Sequence, residues 1–240
     1  MLDNDIVGSS LGANGLHRPH QLRLFAEGVP TAETPEQADI RRSVGGENDS
    51  PARQLARFVR DVAANPVTGM KVNVIYRRDR YLRGGDQIPF LEQGYPAVRF
   101  TEPNENYDHQ HQDVRKENGH QFGDLPRFVD FPYTARVARV NLATMASLAA
   151  APATPRGATI DTSDLSVRTT LSWAPNTEPD LDHYELLWRP TTAADWTHVR
   201  QVGRRTRITV PQSKDNYFFG VRAVDRAGHR SPAAFPVPSQ

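Results

Sequence analysis

Two aspartates at the end of an opening strand and a histidine pair in a later polar loop are the side chains whose types could do chemistry. Asp3 and Asp5 sit in LDNDIVG, which reads as a strand running into a Gly/Ser turn. Residues two apart on a strand share a face, so the two carboxylates compete for one role. His109 and His111 lie in YDHQHQD at residues 107–113. A carboxylate at a strand's C-terminal end and a loop imidazole can meet above an open sheet, and both are metal-ligand types. Taken singly, each has a plainer use: Asp5 as a turn cap, the imidazoles as solvated loop groups. The chain has no cysteine, which excludes disulfides, thiolate catalysis and cysteine-ligated zinc.

Other groups read as structural. Gly8, Gly12 and Gly15 do not match a dinucleotide fingerprint and serve a turn. Arg77, Arg78, Arg80 and Arg83 form a basic cluster interrupted by Asp79 and Asp86, which reads as a solvated face. Trp173, Trp188 and Trp196 fit the core or rim of a β-sandwich better than a carbohydrate platform.

The elements that must position these groups fall into two textures. In the first, LDNDIVG, KVNVIYR and PAVRFTE read as strands, and DQIPFLEQG as a short helix ending at Gly94. Ser50 and Pro51 open a helix with Leu55, Phe58, Val59 and Val62 on one face. FPYTARVARVNLATMASLAAA is an amphipathic helix, with Pro132 where a first-turn proline belongs. Strands alternating with helices predict an α/β domain with a mostly parallel, thin sheet over residues 1–150. A sheet cut at residue 1 would expose an apolar edge, so Met1 is expected to fall inside a domain. APATPRG marks a linker at 151–157. Beyond it, TTLSWAP, HYELLWRP, WTHVRQV, RITVPQ and YFFGVRAVD are strands at sandwich spacing, so residues 158–240 predict an all-β sandwich. Trp173, Tyr184, Trp188 and Tyr217 match the aromatic core of a fibronectin-III-like fold, and AVDRAGHRSP its last hairpin turn.

The 240 residues carry a net charge of +1, which gives no field for nucleic acid or an anionic membrane. No run of about 18 apolar residues exists to span a bilayer. The opening MLDNDIVGSS has no basic region followed by an apolar stretch, so no signal peptide is expected in it.

Three motifs in order resemble the co-catalytic zinc aminopeptidases, a family of zinc-dependent exopeptidases. They are NDIVG at residues 4–8, RGGDQIPFLEQGYPAVRFTE at 83–102 and YDHQHQD at 107–113, with GGENDSPARQLARF between the first two. The resemblance covers roughly residues 1–150, as the C-terminal part of that family's catalytic domain. It implies a partial zinc-exopeptidase-like mixed sheet with helices. It makes Asp5 and His109 zinc ligands and places Asp86, Tyr107 and Asp113 in a supporting or substrate-facing shell. The family uses two zinc ions bridged by an Asp and a water, with a Glu as general base; that needs an upstream His-x-Asp and a Glu-Glu pair. This chain has no Glu-Glu, and its one His-x-Asp, His111 to Asp113, lies inside the closing motif. Gln87 stands where the family usually has His, and Asp108 separates Tyr107 from His109. No catalytic residue is therefore assigned. The implied activity is release of N-terminal residues from peptides by an extracytoplasmic (periplasmic or secreted) hydrolase. The chain alone would bind zinc weakly and be close to inactive, with a missing N-terminal half as a partner. The rival reading is a non-catalytic binding protein that recognises its partner through the sandwich.

Overall fold

A computed structural model describes residues 1–163 and 165–239. Four helices punctuate the described chain: α1 (Pro35–Val44), α2 (Pro51–Ala63), α3 (Gln87–Glu92) and α4 (Phe131–Ala150). The last three fall where the sequence places them. Helix α1 was not expected, because its exposed polar sequence buries no residue and shows no apolar face. Its ends carry the signal instead. Thr34 and Gln37 form a reciprocal capping box, Pro35 fills the first turn, and Gly45 closes the helix at φ 66°.

The chain divides into two compact units, Met1–Ala26 with Val59–Met145, and Glu27–Phe58 with Ala146–Gln240. The first holds strands β1 (Leu2–Asn4), β2 (Gln21–Phe25), β3 (Lys71–Ile75) and β4 (Val98–Thr101) in the order β1-β4-β2-β3. β1–β4 and β2–β3 run parallel and β2–β4 antiparallel, so the sheet is mixed. The strand absent from the sequence reading is β2. QLRLF alternates correctly but is short and is preceded by the polar stretch HRPH. Leu22, Leu24, Val72, Val98 and Phe100 form the buried body of the sheet, and Tyr133, Val137 and Val140 give α4 its buried face. Tyr133 donates its hydroxyl to the Gln21 carbonyl at 3.1 Å, and Asn141 exchanges amide hydrogen bonds with Asn4. A small antiparallel hairpin, β5 (Arg115–Glu117) and β6 (His120–Phe122), lies beyond the closing histidine loop.

The second unit contains β7 (Thr159–Ile160), β8 (Thr169–Ser172), β9 (Leu181–Pro190), β10 (His198–Gly203), β11 (Arg207–Val210), β12 (Tyr217–Asp225) and β13 (Val237–Pro238). They form two sheets, β10-β9-β12 and β11-β8-β7-β13. One apolar cluster draws on both, including Ile160, Leu171, Leu186, Ile208 and Val221, which makes this a β-sandwich. Trp173 sits in that core edge-on to Tyr184 at 5.4 Å, as the sequence predicts.

The opposite face of the β10-β9-β12 sheet is built differently. Side chains alternate along β9, so Arg189 points away from the face that carries Tyr184 and Leu186. It is fully buried there and donates to Asp49 at 2.5 Å. Asp49 also accepts from Arg57 at 2.8 Å and from Gln54 at 3.0 Å. Arg57 and Arg189 stand over the Trp196 ring at 5.4 and 5.1 Å, and Trp196 Nε1 donates to Gln54. Gly220 permits this: a Cβ there would lie 2.8 Å from the indole. The 27–58 segment is thus tied to the sandwich by buried charge rather than by apolar contact alone.

Candidate functional site

Strand β1 stops at Asn4, and the chain turns at once. Ile6 has φ 62°, a left-handed conformation that costs a non-glycine residue about 1–3 kcal/mol. Two bonds to its carbonyl hold it there, from the Glu102 N–H at 2.8 Å and the Thr101 hydroxyl at 3.1 Å. The turn therefore pins the end of β1 to the end of β4.

Beneath it lies an ion network. Arg99, fully buried in β4, reaches Asp5 at 2.7 Å, Asp79 at 2.9 Å and Asp3 at 3.9 Å. The Asp79 carboxylate also takes hydrogen bonds from Gln87 Nε2 at 2.7 Å and from Arg80. Burial would raise the Asp79 carboxyl, but these donors and Arg99 hold it below the usual range. Asp3 is raised, by burial first and then by the neighbouring Asp5 charge. Glu105 gathers Arg83 at 2.8 Å, Arg23 at 2.9 Å and Arg80 at 3.3 Å, and they keep its carboxyl low despite burial. Arg80 is thus buried between carboxylates, not spread on a solvated face; the intervening Asp79, with distant Glu105 and Asp5, draws it in.

Above the Ile6 turn is a cavity of about 290 Å³. Glu102, Asn106, His109, Gln110, His111 and Asp124 give it a polar wall, while Ile6, Phe128 and Val129 give it an apolar one. His109 stacks on Phe128 with ring centroids 3.5 Å apart, and burial lowers the pKa of its imidazole. Glu102 is buried and accepts the Ser9 N–H at 2.8 Å. Burial pushes its carboxyl up to about 7, with the Glu105 and Asp124 charges adding to the effect and the Ser9 bond opposing it.

The expected site residues are distributed unevenly over this arrangement. His109 lines the cavity, whereas Asp5 stands beside the lining residue Ile6 with its carboxylate turned onto Arg99. Asp86 is exposed at the N-terminus of α3, makes no capping hydrogen bond there, and contributes to the raised Asp3 carboxyl. Tyr107 is exposed under the Arg83 guanidinium at 5.3 Å. Asp113 is exposed, and its carbonyl accepts from Arg115. Among the described residues, no group of three or more His, Asp or Glu could hold a metal ion. A zinc site takes three or four protein ligands, so the donors present do not complete one.

Sequence reasoning missed Glu102, Asp79, Arg99 and Glu105. The available signal was the sequence VRFTE: an arginine inside an otherwise buried strand needs a carboxylate from elsewhere, and a glutamate at that strand's end points where sites form.

No protein-family model matches the chain. It is 56% identical over 238 residues to a protein of Leptosphaeria maculans named a probable zinc metalloprotease, matching 99% of this chain and 55% of that protein. Proteins of the same name from Pyrenophora tritici-repentis and Pyricularia oryzae are 55% and 53% identical, each over 99% of this chain and over 50% and 49% of their own lengths. The chain spans about half the length of these relatives. Among solved structures it is similar to a Fn3-like protein from Clostridium thermocellum, at 20% identity and a TM-score of 0.31, over 38% of this chain and 94% of that one. It is also similar to the fn3 domain of human collagen alpha-1(XX), at 22% identity and a TM-score of 0.29, over 38% of this chain and 87% of that one.

Proposed function

We propose that the chain carries the C-terminal part of the catalytic domain of a zinc-dependent peptidase, an aminopeptidase that releases N-terminal residues from peptides outside the cytoplasm. The observation that carries this reading is the 53–56% identity, over nearly every residue, to proteins named probable zinc metalloproteases. The three-motif resemblance supplies the finer aminopeptidase assignment. On this reading residues 1–150 are part of the catalytic domain, 158–240 the sandwich behind it, and Asp5 and His109 donors to zinc.

Zinc in such enzymes polarises the scissile carbonyl and activates water. This chain offers two candidate donors and no third beside them among its described residues, so no catalytic step is assigned to it. Its residues instead shape and charge one wall of a site. Arg99 fixes the Asp5 carboxylate at 2.7 Å, the Ile6 turn locks the ends of β1 and β4 together, and Phe128 holds the His109 ring flat.

The test compares this chain with a protein of the relatives' full length, by metal analysis and by cleavage of amino-acid anilides. The longer protein should carry zinc and cleave, while this chain should retain less than one equivalent and cleave nothing measurable. In the longer protein, Asp5→Ala and His109→Ala should each lower zinc content. A longer protein that cleaves with no bound zinc would overturn the reading, and unchanged zinc in both variants would remove the two ligands.

A further inference from the structure

We infer that the cavity above the Ile6 turn is a subsite for one cationic side chain of a peptide, a lysine ammonium or an arginine guanidinium. The peptide as physiological ligand rests on the peptidase reading above; the binding itself does not.

Acceptors in the wall carry the argument. Gln110 lines the cavity, and its buried Oε1 meets no hydrogen-bond donor among the described residues. The Glu102 carboxylate, almost wholly buried, receives one hydrogen bond among the described residues, from the Ser9 N–H. A carboxylate offers about four lone-pair positions, and an orphaned buried acceptor costs about 1–3 kcal/mol. Asp124 adds a second carboxylate to the same wall. What is missing is a group that only donates. An ammonium brings three N–H donors and a guanidinium five, and neither accepts.

Charge and shape point the same way. Among the described residues no lysine or arginine lines the cavity, where the imidazoles of His109 and His111 are the basic groups. The cations close by in the fold are already engaged: Arg23 on the Glu102 carbonyl and Glu105, Arg83 on Glu105, and Arg127 over the Phe128 ring at 5.1 Å. The apolar side formed by Ile6, Phe128 and Val129 suits the methylene stem of a long cationic side chain, which buries its carbons and keeps its charged head on polar atoms. A volume of about 290 Å³ holds one side chain rather than a folded partner.

The test titrates the whole, metal-free chain at pH 8 with small amides, following amide chemical shifts. Nα-acetyl-lysinamide and Nα-acetyl-argininamide should give saturable shifts centred on Glu102 and Gln110. Nα-acetyl-norleucinamide, of similar length without charge, should bind about tenfold more weakly or worse. Glu102→Gln should weaken the lysine probe by about fivefold or more, and Asp124→Asn, at an exposed position, should weaken it without perturbing the fold. Equal binding of the norleucine probe would make the cavity an apolar pocket and overturn the proposal. Tighter binding of leucinamide, with its free α-amine, would assign the site to a peptide terminus and overturn it as well. Absence of any saturable shift would also overturn it, and zinc content and cleavage in the longer protein would stand unaffected.

Discussion

Arg99 and Glu102 sit three residues apart at the end of one strand and test opposite sides of buried electrostatics. Arg99 neutralises the buried carboxylates of Asp3 and Asp79 and the part-exposed one of Asp5, so Arg99→Met should cost about 3–5 kcal/mol at neutral pH. Urea denaturation would measure it, and the deficit should shrink in acid as the carboxylates protonate; a loss below about 1 kcal/mol would deny the network its role. Glu102 works against folding once ionised. Its carboxyl titrates near 7 in the fold and near its ordinary 4.5 when unfolded. Between those values the folded state holds the extra proton, so this residue's contribution falls as pH rises from 4.5 to 7 and stays low above it. Glu102→Gln should abolish that decline and stabilise the chain at pH 8 by up to about 3 kcal/mol, read as the difference between two stability–pH curves. Neither residue was legible as a site residue in the sequence. Strand ends and polar loops are local features and drew attention to Asp5 and His109 as candidates, whereas the partners of Arg99 come from positions 3, 5 and 79.

Elements with a strong apolar period were legible, and those held by polar contacts were not. The α2 and α4 helices and the five long strands of the sandwich announce themselves by spacing, and each appears close to its expected limits. α1 and β2 do not, the first because its stability is in its caps and the second because five residues give too little pattern. The same distinction hides the junction of 27–58 with the sandwich, whose bonds run through Asp49, Arg57 and Arg189. Asp49→Ala leaves two buried guanidiniums without their shared anion and should cost about 3–5 kcal/mol. Replacing all three by apolar residues of similar size should recover most of that loss. Thermal unfolding followed by near-ultraviolet circular dichroism would register both through Trp196, and an Asp49→Ala chain as stable as its parent would refute the junction. That junction also bears on partner binding through the sandwich: the part of the β10-β9-β12 face around Arg189 and Gly220 is occupied by the chain itself.

At the scale of the whole molecule, the change of texture from helix to short strands after Ala150 was legible. Contact between residues distant in sequence was not, and by contact residues 27–58 group with the sandwich. Sequence order and spatial grouping differ here because β2 and β3 are parallel neighbours that need a long crossover, and the part of it that groups with the sandwich, 27–58, contains α1 and most of α2. A fragment of residues 151–240 should accordingly be less stable than the same residues in the whole chain, with Arg189 deprived of Asp49. A fragment that melts at the temperature of the intact chain's sandwich would contradict this.

The path of the backbone passes from one unit to the other three times, at 26/27, 58/59 and 145/146. A protease that nicks the chain near residue 154 therefore frees neither unit, since the 27–58 stretch still threads both. Two pieces should migrate together until denaturant is added, and exchange of the sandwich between genes as a single cassette would leave its charged wall behind.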